Sequence, residues 1–178
     1  MSLILEDGTA RADANTYVDS AGTFATDYAA GHLYATAWSA ASSGDKEKAV
    51  RMATRVLDAS VDWHGRRVNG AQALQWPRTG VSVGGWAVAS NAVPTPVQAA
   101  TMELAIALLN KDRTSDTAGS AETKKIGLGD GALEIEFTEG SDPAAAKLPI
   151  LPDMVFRLVR DYGARVGATS GMVRVRRA

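Results

Sequence analysis

The residues of this chain best suited to chemistry are aromatic and cationic, and they cluster between positions 63 and 86. Tryptophans and arginines alternate there: Trp63, Arg66, Arg67, Trp76, Arg78 and Trp86. Single-stranded nucleic-acid binders combine such rings, which stack on bases, with cations that contact phosphates. The alternative is that the tryptophans cover helix ends while the arginines pair with nearby acids. A net charge of −1 favours packing, because phosphate neutralisation supplies most non-specific affinity for nucleic acid.

Within this stretch, residues 74–81 read Leu-Gln-Trp-Pro-Arg-Thr-Gly-Val. Pro77 fixes its own φ and pushes Trp76 toward an extended backbone, so any preceding helix must end before it. The run contains no nucleophile, no base and no set of metal ligands. We interpret it as a rigid loop that locks the second and third helices together, with Trp76 packed and Arg78 available to a neighbouring subunit.

The remaining groups with chemical potential form no catalytic set. His32 and His64 do not have the spacing of a metal-binding motif. The glycine-rich run 127–131 lacks the Lys-Ser/Thr of a phosphate-binding loop and does not open a helix. Glu134 and Glu136 share one face of a predicted strand and could act as acid and base, but no third catalytic group accompanies them. The sequence therefore predicts no enzyme, no metal site and no cofactor.

Composition narrows the class of protein. A chain of 178 residues with 46% apolar residues suits one ordinary domain with a real core. Cysteine is absent, which excludes disulfides, thiolate catalysis and cysteine-based zinc sites. No apolar run approaches the roughly 20 residues of a bilayer span, and acidic residues stand where a secretion signal needs basic ones. We expect a protein of a reducing cytoplasm or of a particle assembled there.

Charge is unevenly distributed along the chain. Residues 154–178 contain six arginines and one acid, a net charge of +5, which leaves −6 for the rest of a chain whose total is −1. This asymmetry suggests an acidic body with a basic C-terminal arm. A solvated helix face followed by a frayed tail would give the same pattern. Both interpretations are open at the level of sequence.

Apolar periodicity predicts four helices. Residues 1–14 have no periodic pattern, and Asn15 is the expected N-cap of a first helix that Gly31 ends. Helical spacing predicts a second helix over 45–62 and a third, apolar almost all round, over 95–110. A fourth begins at Pro152 and extends to about residue 166.

Between these helices lie long loops and one small hairpin. The loop region 65–92 is too long for a mere connector. Leu133, Ile135 and Phe137 alternate with glutamates, which predicts a half-buried strand paired with 124–127. We therefore predict a mainly α fold, a four-helix adaptor-like bundle with long loops and a small β-hairpin. Residues 1–171 would form one helical domain with the hairpin inserted at about 122–138, and 172–178 a basic C-terminal arm.

The segments in combination resemble a known family. The runs that carry the resemblance are Ala-Asn-Thr-Tyr-Val at 14–18, Ala-Thr-Arg-Val-Leu-Asp at 53–58, Trp-His-Gly-Arg-Arg at 63–67 and Gln-Ala-Leu-Gln-Trp-Pro-Arg-Thr-Gly-Val at 72–81. Together they are similar to tailed-phage head-to-tail connector or adaptor proteins, often labelled DnaT-like single-stranded DNA-binding proteins. The resemblance covers about residues 14–165, and the Gln-x-Leu-x-Trp-Pro-Arg-x-Gly run is its most specific part.

This resemblance implies a structural virion protein made in the host cytoplasm. Adaptors of this kind form a ring, usually a dodecamer, in the phage neck beneath the portal. The ring continues the DNA channel and joins the portal protein to a stopper or tail-completion protein. The competing hypothesis is a single-stranded DNA-binding module that uses Trp63, Trp76 and Trp86.

The resemblance also places contacts on particular residues. It makes the last helix and tail the portal-contact candidates: Arg157, Arg160, Arg165, Met172, Val173, Arg174, Val175, Arg176 and Arg177. Candidates for contacts between subunits or for loop roles are Trp63, Arg66, Arg67, Trp76, Arg78, Glu134 and Glu136. No membrane partner is implied, and double-stranded DNA would only pass through the ring.

Overall fold

The computed structural model describes residues 2–111, 113 and 150–166, together with the backbone of residues 122–127 and 134–139. In this part of the chain lie five helices and eight short strands. In chain order they are α1 (Thr23–Ala30), α2 (Thr36–Ala40), α3 (Ser43–Ser60), β1 (Val61–Trp63), β2 (Arg66–Arg67), β3 (Arg78–Thr79), β4 (Ser82–Val83), β5 (Trp86–Ala87), α4 (Thr95–Asn110), β6 (Glu122–Gly127), β7 (Glu134–Glu139), α5 (Asp153–Val159) and β8 (Gly163–Arg165).

The predicted four-helix bundle is wrong, because the fold is mixed. The described strands form four two-stranded antiparallel sheets, β1–β8, β2–β3, β4–β5 and β6–β7. Four of these short strands, β2 to β5, lie within the predicted loop region 65–92. Glycines with positive φ allow its tight turns; Gly84 and Gly85, at φ 59° and 86°, join β4 to β5. The fifth helix, α2, lies between the first two predicted helices, where the sequence predicted only a loop.

The chain divides into two compact units. One consists of residues 1–111 with 151–178, and the other of residues 112–150. The second unit contains the β6–β7 hairpin, in which Lys125 pairs with Glu136 and Ile126 with Ile135. The predicted hairpin is therefore confirmed at the level of backbone pairing. Its turn, the side chains of Glu134 and Glu136, and the tail from Met172 to Arg177 lie outside the described part.

The helices α3 and α4 form the centre of the first unit. Ser42 caps α3 by accepting the Asp45 backbone N–H at 3.1 Å, so the helix begins slightly before the predicted position 45. Pro96 stands in the first turn of α4, whose bounds match the predicted 95–110. Leu57 of α3 and Met102 and Leu104 of α4 are fully buried in one core cluster. Burying each such side chain stabilises the fold by about 1.5–3 kcal/mol.

Hydrogen bonds between side chains and backbone hold the N-terminal segment, which contains no helix before α1. The Asn15 side chain accepts from Ile4 N–H and donates to the Ser2 carbonyl oxygen. The buried Glu6 carboxylate accepts three backbone N–H groups, those of Gly8, Ala10 and Arg11. The prediction that Asn15 caps the first helix is therefore wrong, since α1 begins only at Thr23. Its predicted end at Gly31 is confirmed.

The last helix is shorter than its apolar stripe predicts. It ends at Val159, and Gly163–Arg165 instead forms β8 against β1, with Trp63 opposite Gly163. A Cβ on Gly163 would lie 2.6 Å from Val61 Cγ1 and 2.7 Å from the Asp62 carbonyl oxygen. Only glycine permits this close approach of two strands. The predicted extension of the helix to about 166 is therefore wrong.

Candidate functional site

The Trp-Pro-Arg loop is built around a buried indole. Trp76 is 0% exposed and meets Trp63 edge to face at 5.7 Å between ring centroids, and Tyr162 at 5.8 Å. The peptide bond between Trp76 and Pro77 is cis. Such edge-to-face pairs add to the stability gained from burial. The prediction that Trp76 is packed is confirmed.

Arg78 is buried as well, and its guanidinium is fully engaged within the chain. Nε donates to the His64 carbonyl oxygen at 2.7 Å, and Nη2 donates to those of Trp63 and Gly65 at 3.1 and 2.9 Å. Nη1 donates to the carbonyl and side-chain oxygens of Gln75 at 3.2 and 2.9 Å. Burial lowers the pKa of Arg78. The prediction that Arg78 is available to a neighbouring subunit is wrong, because local carbonyls occupy its donors.

A tyrosine and a carboxylate join the loop to α3. The Tyr17 hydroxyl donates to Asp58 at 2.7 Å and accepts the Trp76 backbone N–H at 3.1 Å. Gln75 N–H donates to the same carboxylate at 3.1 Å. Burial raises the pKa of Asp58 to about 6, against these hydrogen bonds, which lower it. Part of the predicted locking role is thus visible as bonds from the loop to α3, the predicted second helix.

This carboxylate should make stability depend on pH. Because the Asp58 pKa is about 6 in the folded state and 3.8 in its ordinary range, its contribution is fully present below pH 3.8. That contribution is lost as pH rises through 6, where the folded protein must ionise a partly buried carboxyl group. Between pH 4 and pH 7 we expect wild type to lose about 2 kcal/mol relative to Asp58→Asn.

Urea unfolding of both proteins at pH 4, 5, 6 and 7 measures this difference directly. Comparing wild type with Asp58→Asn cancels the other titrating carboxyls, which are common to both. A difference that stays constant across the range, or grows in the opposite direction, would contradict the raised pKa.

The three tryptophans proposed for base stacking have different environments. Trp63 is 5% exposed and Trp76 is 0% exposed, so neither can stack on a base. Trp86, on β5, is 82% exposed. Arg66 and Arg67 are exposed on β2, where Arg67 also donates to the Gln72 carbonyl oxygen at 3.1 Å. The structure therefore leaves one of these indoles accessible.

The portal-contact candidates that the structure describes lie on or after α5. Arg157 and Arg160 are exposed. Arg165 donates to Asp153 at 2.7 Å and lies over the Phe156 ring at 5.0 Å. The side chain of Arg165 thus contacts residues of the same chain. Its predicted contact with a portal protein stays a prediction.

A groove along α3 is a second surface with functional potential. Its volume is about 860 Å³, and three cations of α3, Lys48, Arg51 and Arg55, line it. Apolar side chains, among them Met52 and Leu74, share the lining. The sequence shows these cations only as the polar side of an amphipathic helix. Residues 14–15 and 73–75 form the rest of the groove's lining. Helical periodicity cannot predict that these distant segments lie beside this face of α3.

Metal-binding clusters and membrane-spanning helices do not occur in the described part of the chain. No cluster of three or more His, Cys, Asp or Glu side chains that could hold a metal ion occurs among these residues. None of the helices in the described ranges is long and apolar enough to cross a membrane.

The sequence model of a family described as "Putative DnaT-like ssDNA binding protein" matches residues 1–178. No curated protein and no solved structure matches the chain.

Proposed function

The chain belongs to the family of DnaT-like ssDNA binding proteins, and from this premise we propose that it binds single-stranded DNA without catalysing a reaction. The observation that carries the proposal is the exposed indole of Trp86, 82% accessible at the end of the β4–β5 hairpin. Stacking of a base on such a ring contributes about 1–3 kcal/mol and tolerates any sequence, because every base has a π face.

Two exposed cations, Arg66 and Arg67, lie on β2, whose partner strand β3 precedes this hairpin in the chain. Arg66 of β2 pairs with Thr79 of β3. Val83 of β4, which lies four residues after Thr79, pairs with Trp86 of β5. Beside Trp86 runs a groove of about 490 Å³ whose lining includes Tyr162. An exposed indole, a partly exposed tyrosine and a pair of exposed arginines supply stacking together with charge. This combination supports contact with a flexible strand whose bases are unpaired.

Tryptophan fluorescence tests the proposal cleanly, because Trp38, Trp63 and Trp76 are buried and Trp86 is the exposed indole. We expect an oligothymidylate of fifteen nucleotides to quench the emission at low salt, and rising salt to reverse the effect. Trp86→Phe should remove the quenching, and Trp86→Ala should weaken binding roughly 5- to 150-fold.

The matched control is Tyr34→Ser, which removes another exposed aromatic, 73% accessible, from a different loop. It should bind the oligonucleotide as wild type does. An oligonucleotide that gives no quenching and no change in anisotropy at low salt would exclude single-stranded DNA binding.

A second candidate function is the neck adaptor ring, with the portal and a stopper or tail-completion protein as partners. The observation that favours it is apolar exposure at two places: Leu33 and Tyr34 between α1 and α2, at 82% and 73%, and Trp86 at 82%. Exposed apolar patches mark interaction surfaces. A head-to-tail ring requires two different patches on each subunit, and these could supply them.

Light scattering after size exclusion separates the two candidates. The adaptor hypothesis expects a closed ring, alone or with the portal protein, and expects Leu33→Ser with Tyr34→Ser to abolish it. A monomer that neither assembles with the portal nor occurs in virions would exclude the adaptor. That result would leave DNA binding to be decided by the fluorescence measurement.

A further inference from the structure

We infer that the groove along α3 binds the sugar-phosphate backbone of the same single DNA strand, an inference that rests on the proposed function. Lys48, Arg51 and Arg55 recur at intervals of three and four residues, which places them on one face of the helix. Seven residues of helix span about 10 Å, enough to face roughly two or three successive phosphates.

The existing contacts of Lys48 and Arg55 can be exchanged for phosphate. Lys48 donates to Asp45 at 2.8 Å with both side chains at least half exposed, and such exposed ion pairs contribute little to stability. Arg51 is less exposed, at 22%; its Nε donates to the Glu47 carbonyl oxygen at 3.2 Å, and its Nη2 lies 4.0 Å from the Glu47 carboxylate. Arg55 is exposed and donates to the Met52 sulfur, a weak acceptor. Phosphate oxygens are stronger acceptors for a guanidinium than a thioether is.

Asp58, the one acid among the residues that line the groove, does not compete strongly for the cations. Asp58 already accepts hydrogen bonds from the Tyr17 hydroxyl and from Gln75 N–H. Its carboxylate is thereby turned toward Tyr17 and the Trp-Pro-Arg loop. The local balance of the lining is three cations against this one acid, although the chain as a whole carries −1.

The floor of the groove suits sugars rather than bases. Met52, Ala59, Ala73 and Leu74 supply apolar surface, and Asn15 and Gln75 supply amide groups. None of the lining residues is aromatic. Bases would therefore find no stacking partner here, whereas a backbone would find cations, amides and apolar contact for its sugars. In this inference the cations of α3 contact the phosphates, and Trp86 stacks on a base.

Salt dependence of binding measures phosphate contacts. We propose anisotropy titrations of a labelled fifteen-nucleotide oligothymidylate over a salt series with wild type, with the triple variant Lys48→Gln, Arg51→Gln, Arg55→Gln and with Arg55→Gln alone. The slope of log K against log salt should fall in magnitude by about 2 in the triple variant and by about 0.7 in the single one. Trp86→Phe should retain the wild-type slope.

Lys46→Gln is the matched control. It removes one cation from the same helix, but Lys46 lies over the Trp38 ring at 5.7 Å and does not line the groove. Circular dichroism and thermal unfolding test whether each variant folds. If the triple variant does not fold, Arg55→Gln alone still tests the inference.

Each outcome is decisive. A folded triple variant with the wild-type slope, or a Lys46→Gln effect equal to that of Arg55→Gln, overturns the groove inference while leaving single-stranded DNA binding in place. Wild type that binds no oligonucleotide overturns the proposed function itself. Groove-dependent binding of polyglutamate with no binding of oligothymidylate would overturn the inference in favour of an acidic protein segment.

Discussion

Replacing Trp76 with alanine should lower the free energy of unfolding by about 3–5 kcal/mol. The indole is 0% exposed, and it contacts Trp63 and Tyr162 edge to face. Removing it leaves a large cavity, because the surrounding rings belong to separate strands and turns that cannot collapse together. The backbone N–H of Trp76, which donates to Tyr17, would also lose its fixed position.

Urea unfolding followed by circular dichroism measures this loss without depending on tryptophan emission. Trp86→Ala is the control, since an 82% exposed indole should change stability by no more than about 0.5 kcal/mol. We therefore expect Trp76→Ala to lower stability, and Trp86→Ala to weaken the proposed DNA binding without lowering stability. A Trp76→Ala protein of wild-type stability that fails only in DNA binding would contradict the packed role.

Replacing Arg78 with methionine should cost a similar amount, about 3–5 kcal/mol, for a different reason. Methionine keeps the length of the side chain but donates no hydrogen bond. The backbone carbonyls of Trp63, His64, Gly65 and Gln75 would lose their donor together. A buried carbonyl without a partner costs about 1–3 kcal/mol, and water can rescue only those near the surface.

Arg78→Lys keeps the positive charge but not the planar set of donors, so it distinguishes the effect of charge from that of hydrogen-bond geometry. Its single ammonium cannot donate in the fork that reaches both Gln75 and the turn at 63–65, so Arg78→Lys should recover only part of the loss. Arg66→Met, on the strand paired with β3 but exposed, is the control and should unfold as wild type does. Equal stability of Arg78→Met and wild type would show that the guanidinium bonds contribute nothing net.

Several elements were predictable from residues that are neighbours in sequence. The helix 95–110 follows from a proline in its first turn and a continuous apolar run, and α3 follows from helical spacing after a polar cap. The alternation of Leu133, Ile135 and Phe137 with glutamates predicted a strand of the second unit. In each case the signal is local, since period and capping are set within a few turns of chain.

The environments of the tryptophans and of Arg78 were not predictable in this way. Trp63, Trp76 and Trp86 are the same residue type within one stretch, yet two are buried and one is exposed. The choice depends on Tyr162, which packs on Trp76 from a segment far along the chain. Likewise, Arg78 is engaged because the turn after β1 directs carbonyls toward it.

The end of α5 was also not predictable from neighbouring residues, because the local pattern favours a helix where the structure has a strand. Its apolar stripe continues to residue 166, so helical period alone favours a longer helix. The chain instead forms β8, because Gly163 allows close pairing with a strand about a hundred residues earlier. By itself the sequence determined the helices α3 and α4, a hairpin and a family resemblance. Tertiary structure decided which side chains face solvent, because burial depends on partners distant in the chain.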